Sequence, residues 1–297
     1  MPSSNVNSRA RARTVSPFRS QVAVITGAGA GIGQALAIAL ARQGAQLALC
    51  DIDAAGLDTT AGLCGAAGVP VLTSVVDVTD RSAMTTYAAG IALRFGRISY
   101  VFNNAGVILT GRIDNSTYDD IEHVVAVDFW GVVNGTKAFL PYLIESGGGH
   151  LINISSAYGL IAAPAYSAYC AAKFAVRGFT EAIQQEMLVA GYPVNVSCVY
   201  PGAVRTSIMR AGRYAAGEDQ DAVLNLFDRM ARTSPDQAAS TILRGVIARH
   251  RRILVGPDAG AADVLARVTG TGYQRVFQLA RSLTNRQHRG TPARRDS

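Results

Sequence analysis

Lysine is nearly missing from this 297-residue chain: of its 28 Lys and Arg side chains only two, Lys137 and Lys173, are lysines. No uninterrupted apolar run approaches the roughly 18 residues needed to cross a bilayer, which argues against a membrane span. Cysteine is scarce as well. Cys50, Cys64, Cys170 and Cys198 fall singly in apolar surroundings, without the paired spacing of a zinc site or a disulfide framework. They read as buried, reduced thiols of a cytoplasmic protein. Acids are absent from the first 19 positions, which hold Arg9, Arg11, Arg13 and Arg19, while five arginines after Ala280 face Asp296 alone. The ends therefore carry a net +8 and residues 20–280 a net −1, against +7 for the whole chain. Basicity confined to the ends, without a stacking series of aromatics, fits solvated tails and argues against a nucleic-acid partner. The Ser- and Arg-rich beginning also loosely resembles a transit peptide, the alternative to a plain tail.

What is present is a pattern for one sizeable core, with 49% hydrophobic and 16% charged residues. From residue 21 onward apolar runs alternate with helical periodicity, the signature of a parallel sheet wrapped by helices. Strands are predicted near 21–26, 46–51, 71–76, 98–102, 149–154, 194–199 and 252–255. Helices are predicted near 32–43, 54–66, 81–94, 117–144, 167–190 and 235–249. Gly44 can end the first helix in a left-handed turn, Asp80 can cap the third, and Ser116 with Asp119 makes a capping-box pattern. Residues 203–233 fit neither period and read as a long irregular connection, more often a lid or binding loop than an accident. The domain boundaries follow: a basic tail over 1–19, a single α/β domain over 20–256, and a helical extension with a basic tail over 257–297. That extension carries no assigned chemistry.

Directly after the first strand comes Gly27-Ala28-Gly29-Ala30-Gly31-Ile32-Gly33, leading into an Ala/Leu-rich helix. A turn this dense in glycine lets the backbone approach a pyrophosphate, whose charge is met by the amides and dipole of the helix N-terminus. Asp51 ends the second strand 18 residues beyond Gly33, close to the spacing of an acid that accepts hydrogen bonds from the adenosine ribose. Its carboxylate would repel a 2′-phosphate, Asp53 adds a second negative charge, and Ala30 and Ile52 offer no cation. NAD(H) is favoured over NADP(H).

These residues, with Asp77-Val78, Asn103-Asn104-Ala105-Gly106, Ser156, Tyr169-x-x-x-Lys173 and Pro201-Gly202 in that order, resemble the classical short-chain dehydrogenase/reductase family over residues 21 to about 255. The resemblance implies an α/β, Rossmann-like, doubly wound sheet of seven parallel strands in three α/β/α layers. It also implies an active site at the strands' C-terminal ends and a homodimer or homotetramer paired through the long helices, whose apolar residues include Phe129, Trp130, Phe174 and Phe179. Asp77, Val78, Asn104, Ala105 and Gly106 would line the cofactor, with Pro201, Gly202 and Thr206 on its nicotinamide side. Independently, Thr26, Asp51, Asp77, Asn103 and Ser156 all lie at or just after proposed strand ends, where open α/β sheets place ligands.

Tyr169 and Lys173, four apart on a predicted helix, share a face. A chain that writes nearly every cation as arginine keeps a compact ammonium here, though Lys137 reads as an ordinary surface residue. A free phenol ionises near pH 10. Positive charge beside it, from Lys173 and an oxidised nicotinamide, would lower that value. By resemblance Tyr169 exchanges the proton of an alcohol while hydride moves between carbon and nicotinamide, and Ser156, more than Ser155, holds the substrate oxygen. The pattern departs from the family at Asp128, where an asparagine is usual. Its charge would oppose the effect of Lys173 on Tyr169, yet Asp128→Asn is expected to leave activity within an order of magnitude. Ile208, Met209, Tyr214, Val223, Leu224, Leu226, Phe227 and Met230 read as an apolar lid and point to a hydrophobic alcohol or ketone; an ordinary amphipathic surface helix is the alternative. His123 and His150 lack metal spacing and read as solvated. The alternatives are an NADP(H)-preferring carbonyl reductase, a dinucleotide-binding scaffold without chemistry, and an epimerase or dehydratase, for which the roughly 40 residues after Val255 are too few.

Overall fold

Strand β1 (Val22–Thr26) is buried along its whole length, and β2 (Gln46–Asp51) over all but its end residues, as expected of parallel strands covered on both faces. A computed structural model describes residues 16–275; the greater part of both basic ends lies outside them. With β3 (Val71–Val75) and β4 (Tyr100–Asn103) these strands form four of the seven strands of a parallel sheet. A two-residue strand, β5 (Leu109–Thr110), lies outside it. β6 (Gly149–Ile154), β7 (Val194–Pro201) and β9 (Arg252–Val255) complete the sheet in the order β3-β2-β1-β4-β6-β7-β9. The order reverses between β1 and β4, so a crevice opens past their C-terminal ends.

Helices cover both faces. On one side α1 (Gly31–Arg42), α2 (Ala54–Gly65) and α8 (Pro235–Ile247) pack Leu36, Leu40, Leu57, Ile242 and Val246 against the sheet. On the other, α3 (Arg81–Phe95), α5 (Gly131–Glu145) and α6 (Ser167–Ala190) bring Met84, Ile91, Phe139, Leu143, Ile183 and Met187. Local signals set several boundaries. Asp80 accepts hydrogen bonds from the Ser82 and Ala83 amides at 2.8 and 2.9 Å, and Gly44 takes φ +84° just past α1. Ser234 and Gln237 close a reciprocal capping box on α8.

Four expectations need correction. The helix expected over 117–144 is interrupted: α4 (Tyr118–Val125) runs into a π-turn at Ala126–Trp130 before α5 begins. The wider turn points Asp128 fully inward and leaves Trp130 43% exposed. The cap of α4 lies one residue later than expected. Thr117, not Ser116, accepts the Asp120 amide, while Ser116 bonds back to the Arg112 carbonyl. Residues 203–233 are not irregular throughout. They contain β8 (Arg213–Tyr214), paired in parallel with β5, and helix α7 (Gln220–Met230), capped by Asp219. Finally, His150 is not solvated.

His150 sits inside the β6–β7 pairing with 3% exposure, and its Nε2 lies 2.7 Å from Ser197 Oγ. The single hydroxyl proton of Ser197 is directed at the His250 carbonyl, 2.6 Å away, so the ring must donate from Nε2. Burial, reinforced by Arg249, pushes the imidazole down to about 4. The unfolded chain takes up this proton near pH 6.5, so the native state loses stability as pH falls from there toward 4. Between pH 7 and 5 the loss attributable to this ring is about 2 kcal/mol. Denaturant melts of the wild type and of His150→Asn at both pH values check this. A variant whose stability falls as steeply as that of the parent removes the assignment.

The chain ends, within the described residues, in α9 (Pro257–Thr269) and a 3₁₀ turn at Gly270–Tyr273. Ala259, Ala262 and Tyr273 pack against Ala157 and Ile161. The second helical patch expected from Tyr273 to Leu283 lies mostly outside the described residues. Among those described, no helix is long and apolar enough to cross a membrane.

Candidate active site

The parallel register of β1 against β4 sets Ile25 beside Phe102, so Thr26 meets the loop that follows Asn103. Its hydroxyl accepts the amides of Asn104 and Ala105 at 2.9 and 3.0 Å. Asn104 answers by donating its side-chain amide to the Thr26 and Gly27 carbonyls. This lock holds the glycine turn against the next loop. A Cβ on Gly27 would stand 2.6 Å from the Ala105 Cα, and one on Gly33 would stand 2.0 Å from the Gly27 carbonyl oxygen. At Ala30 the helix start has no side chain able to cap it, and the half-buried Gly31 and Ile32 follow directly. The opening amides of α1 thus face the crevice, the arrangement that receives a phosphate.

Asp51 reaches back to this turn: one carboxylate oxygen accepts the Gly29 amide at 2.8 Å and the other accepts the Asp53 amide at 3.1 Å. It therefore stands beside the phosphate turn as its spacing predicts. Asp77 is exposed, and its carboxylate accepts the Thr79 amide and hydroxyl, both at 2.8 Å. Val78 is buried, and its carbonyl accepts from Asn134 at 2.9 Å. Thr206, on the loop after β7, places its methyl carbon about 3.1 Å from where a Gly31 Cβ would be. The first and last expected cofactor segments are thus neighbours.

The catalytic candidates converge between β4, β6 and α6. Ser155 turns away, donating its hydroxyl to the Lys173 carbonyl at 2.8 Å. Ser156 faces the site, accepts the Tyr158 amide at 3.1 Å, and bears on the Tyr169 phenol through a hydrogen bond. Lys173 and Lys137 part company: the former is 3% exposed, the latter lies on the surface. Lys173 Nζ sits 5.5 Å from the centre of the Tyr169 ring, 3.4 Å from the Ile154 carbonyl and 3.4 Å from Asp128 Oδ2. Asp128 Oδ1 accepts the Val107 amide at 2.8 Å, whereas Oδ2 has the ammonium nearby but not aligned as a hydrogen-bond donor. Gly106 leaves room for this pair, since a Cβ there would come within 3.1 Å of Asp128 Oδ1.

Burial raises the Asp128 carboxyl above the ordinary carboxylate range; Lys173, the Val107 amide and His123 work against the rise. Burial also raises the Tyr169 phenol, and the negative charge of Asp128 adds to the effect, with only the Ser156 hydrogen bond opposing it. In the protein alone the phenol is therefore firmly protonated, the reverse of the lowering expected from Lys173. Burial is the main cause, and the negative charge of Asp128, which stands beside the ammonium, adds to it.

Above Tyr169 lies an apolar cover. Val223, Leu224 and Phe227 of α7 join Ile208, Met209 and the rings of Tyr158 and Tyr166 in one cluster with Tyr169. Tyr158 meets Tyr166 at 5.1 Å and Tyr169 edge-on at 6.2 Å between ring centres. Leu226 and Met230, also expected in this apolar set, instead point to solvent. Tyr214 donates its hydroxyl to the Met209 carbonyl at 2.7 Å. Two contributors escaped the sequence reading. Asn153 continues a buried ladder beneath the site, accepting from Asn103 at 2.8 Å and donating to Thr180 at 3.0 Å. Asp258, from the first turn of α9, accepts the Ala203 amide at 2.5 Å beside Pro201-Gly202. Its Gly-Pro-Asp context reads as an ordinary helix start, and only the fold brings it to β7. No group of three or more metal-ligating side chains occurs among the described residues.

A switch-point crevice, a glycine turn at an uncapped helix and a buried Ser-Tyr-Lys cluster define a dinucleotide-dependent oxidoreductase. The family model described as short chain dehydrogenase matches residues 21–216, and the chain belongs to the short-chain dehydrogenase/reductase family, acting on CH–OH groups. SadH of Mycobacterium tuberculosis is 52% identical over 263 residues, 88% of this chain and 95% of that protein. A family member from Burkholderia phymatum, solved in complex with NAD, superimposes with a TM-score of 0.79 at 30% identity, covering 84% of this chain and 94% of its own. An alcohol dehydrogenase from Thermococcus sibiricus, complexed with 5-hydroxy-NADP, gives 0.68 at 27% identity, covering 80% and 96%. Solved relatives thus hold cofactors of both kinds.

Proposed function

We propose that this protein interconverts a largely hydrophobic secondary alcohol and its ketone with NAD(H), using Tyr169 as the proton donor and acceptor. The observation that carries the reading is the convergence of Ser156, Tyr169 and Lys173 under an apolar cover, one loop away from the glycine turn. The bound nicotinamide supplies or accepts the hydride. Ser156 holds the substrate oxygen, Tyr169 passes a proton to or from that oxygen, and the Lys173 ammonium steadies the negative charge that develops on the phenol. The apolar cover from α7 excludes water and selects substrates with an apolar body.

Asp51 supports NAD(H) over NADP(H). It is held in place by the Gly29 amide, where a 2′-phosphate would meet its charge, and the adjacent Ile52 offers no cation. A panel of secondary alcohols and ketones, followed by absorbance of the reduced nicotinamide with each cofactor, tests both statements. NAD(H) is expected to be preferred, and Asp51→Ala to narrow the NAD(H)/NADP(H) ratio of kcat/KM by about 10- to 100-fold. A wild-type preference for NADP(H) defeats the Asp51 argument and leaves the reaction class standing.

Exposed aromatics on the long helices, Trp130 and Phe174, support a homodimer or homotetramer, although Phe139 and Met187 are buried within the monomer itself. The four thiols, all buried and unpaired, support a cytoplasmic setting.

A further inference from the structure

We infer that Asp258 is a positioning residue for the nicotinamide side of the site, so that the helix after the last strand is a working part of the cofactor pocket. This rests on the dinucleotide reading above. It concerns a segment beyond the residues that the family model matches.

Three observations meet at this carboxylate. Its Oδ2 accepts the Ala203 amide at 2.5 Å, the first free amide after the Pro201-Gly202 turn at the end of β7. Both of its oxygens lie so close to Gly202 that a Cβ there would stand 2.1 Å from each, so a side chain at 202 is excluded by Asp258. Gly256, at φ +90°, makes the bend that sends the chain from β9 into α9 and delivers Asp258 to this point; a Cβ there would meet Asp258 Oδ1 at 2.6 Å. The Gly202 amide is held independently by the Val255 carbonyl at 2.9 Å. The turn after β7 is therefore gripped from the β9–α9 corner at two successive amides, one by backbone and one by Asp258.

That turn leads within three residues to Thr206, whose methyl group lies against Gly31 of the phosphate turn. Thr233 holds the next residues, through the Val204–Thr233 bridge and the Arg205 amide on the Thr233 carbonyl at 2.9 Å, so Asp258 secures the first of three anchored positions that carry the chain to Thr206. Errors of about 1 Å in such positioning are costly to hydride transfer. The same extension braces the other side of the site: the Tyr273 hydroxyl accepts the Ala162 amide at 3.0 Å, and Ala259 packs on Ala157, next to Ser156. Asp258 is exposed and contributes little to the hydrophobic core, so its loss is expected to act on geometry before stability.

The discriminating property is hydrogen-bond acceptance, not charge. Asp258→Ala removes the acceptor; Asp258→Asn keeps a carbonyl oxygen at the same reach without the charge. NADH binding by fluorescence titration, steady-state kinetics and melting temperature are to be measured for the wild type and both variants. Asp258→Ala is expected to bind NADH about tenfold more weakly and to lose a comparable factor in kcat, with little change in melting temperature. Asp258→Asn is expected to recover to within about twofold of the wild type. Alanine without effect on binding and kcat overturns the inference. So do alanine and asparagine impaired alike, which would make the charge the operative feature. Gly202→Ala supplies a second measurement should Asp258→Ala fail to fold: the added methyl displaces the carboxylate and is expected to reproduce the weaker NADH binding, and normal binding overturns the inference. A wild-type protein that binds no nicotinamide dinucleotide removes the cofactor reading and this inference with it, whereas a wild type that binds NADH and an Asp258→Ala variant that matches it in binding and kcat remove the inference alone.

Discussion

Tyr169→Phe is expected to lower turnover by about three orders of magnitude while the protein stays folded and still binds NADH. The substitution removes one hydroxyl from a ring that meets Tyr158 edge-on and shares an apolar cluster with Ala168 and Ala172. The apolar contacts survive. What disappears is the only group among the described residues that is placed both against Ser156 and beside Lys173, and thus able to pass a proton to a substrate oxygen. Ser156 cannot replace it, because its own hydroxyl has no base within the cluster to relay the proton. Stopped-flow or steady-state assays with the best substrate from the panel, together with NADH titration and a melting curve, separate the two effects. Turnover within tenfold of the parent in a folded variant would falsify the proton-transfer role of this phenol.

The sheet and the catalytic positions were legible because each depends on a short-range pattern. Continuous apolar runs such as Ala23-Val24-Ile25 announce doubly covered strands. Thr26, Asp51, Asn103 and Ser156 stand at strand ends, and parallel strands gather all their C-terminal ends on one edge. Lys173 stands out by its spacing from Tyr169 and as one of two lysines, and burial distinguishes it from Lys137. Features set by one added residue or by a distant partner were not legible. The π-turn at Ala126–Trp130 changes no residue type, yet it rotates Asp128 from a helix face into the interior. His150 reads as a polar residue near a turn, and its partner Ser197 arrives from a strand 47 positions away. The spacing of Val223, Leu224 and Phe227 does fit an amphipathic helix, but the exposed apolar Leu226 and Met230 blur its polar face. Asp258 has no local signal at all beyond a proline before it.

Asp128 and Lys173 can be judged only together, because each is almost fully withdrawn from water and the ion pair is 3.4 Å apart. Lys173→Met leaves Asp128 Oδ2 buried without a cation, and truncating one partner of such a pair costs about 3–5 kcal/mol of stability. Turnover is expected to fall by about 10²- to 10³-fold, since only the Ser156 hydrogen bond, among the described residues, is then left to steady charge on the phenol. Asp128→Asn differs in kind. An amide oxygen can still accept the Val107 amide, so turnover should stay within about tenfold of the parent. Removing the negative charge that adds to the burial-driven rise of the Tyr169 phenol should also carry the rising limb of alcohol oxidation to lower pH, because oxidation needs the phenol as proton acceptor. The double variant separates stability from catalysis. With neither charge buried, Asp128→Asn/Lys173→Met should regain much of the stability that Lys173→Met lost and remain as inactive. Denaturant melts and pH–rate profiles of the four proteins complete the cycle. If the double variant is no more stable than Lys173→Met, the buried pair does not control stability. An oxidation profile unmoved in Asp128→Asn means that the carboxylate does not act on the phenol.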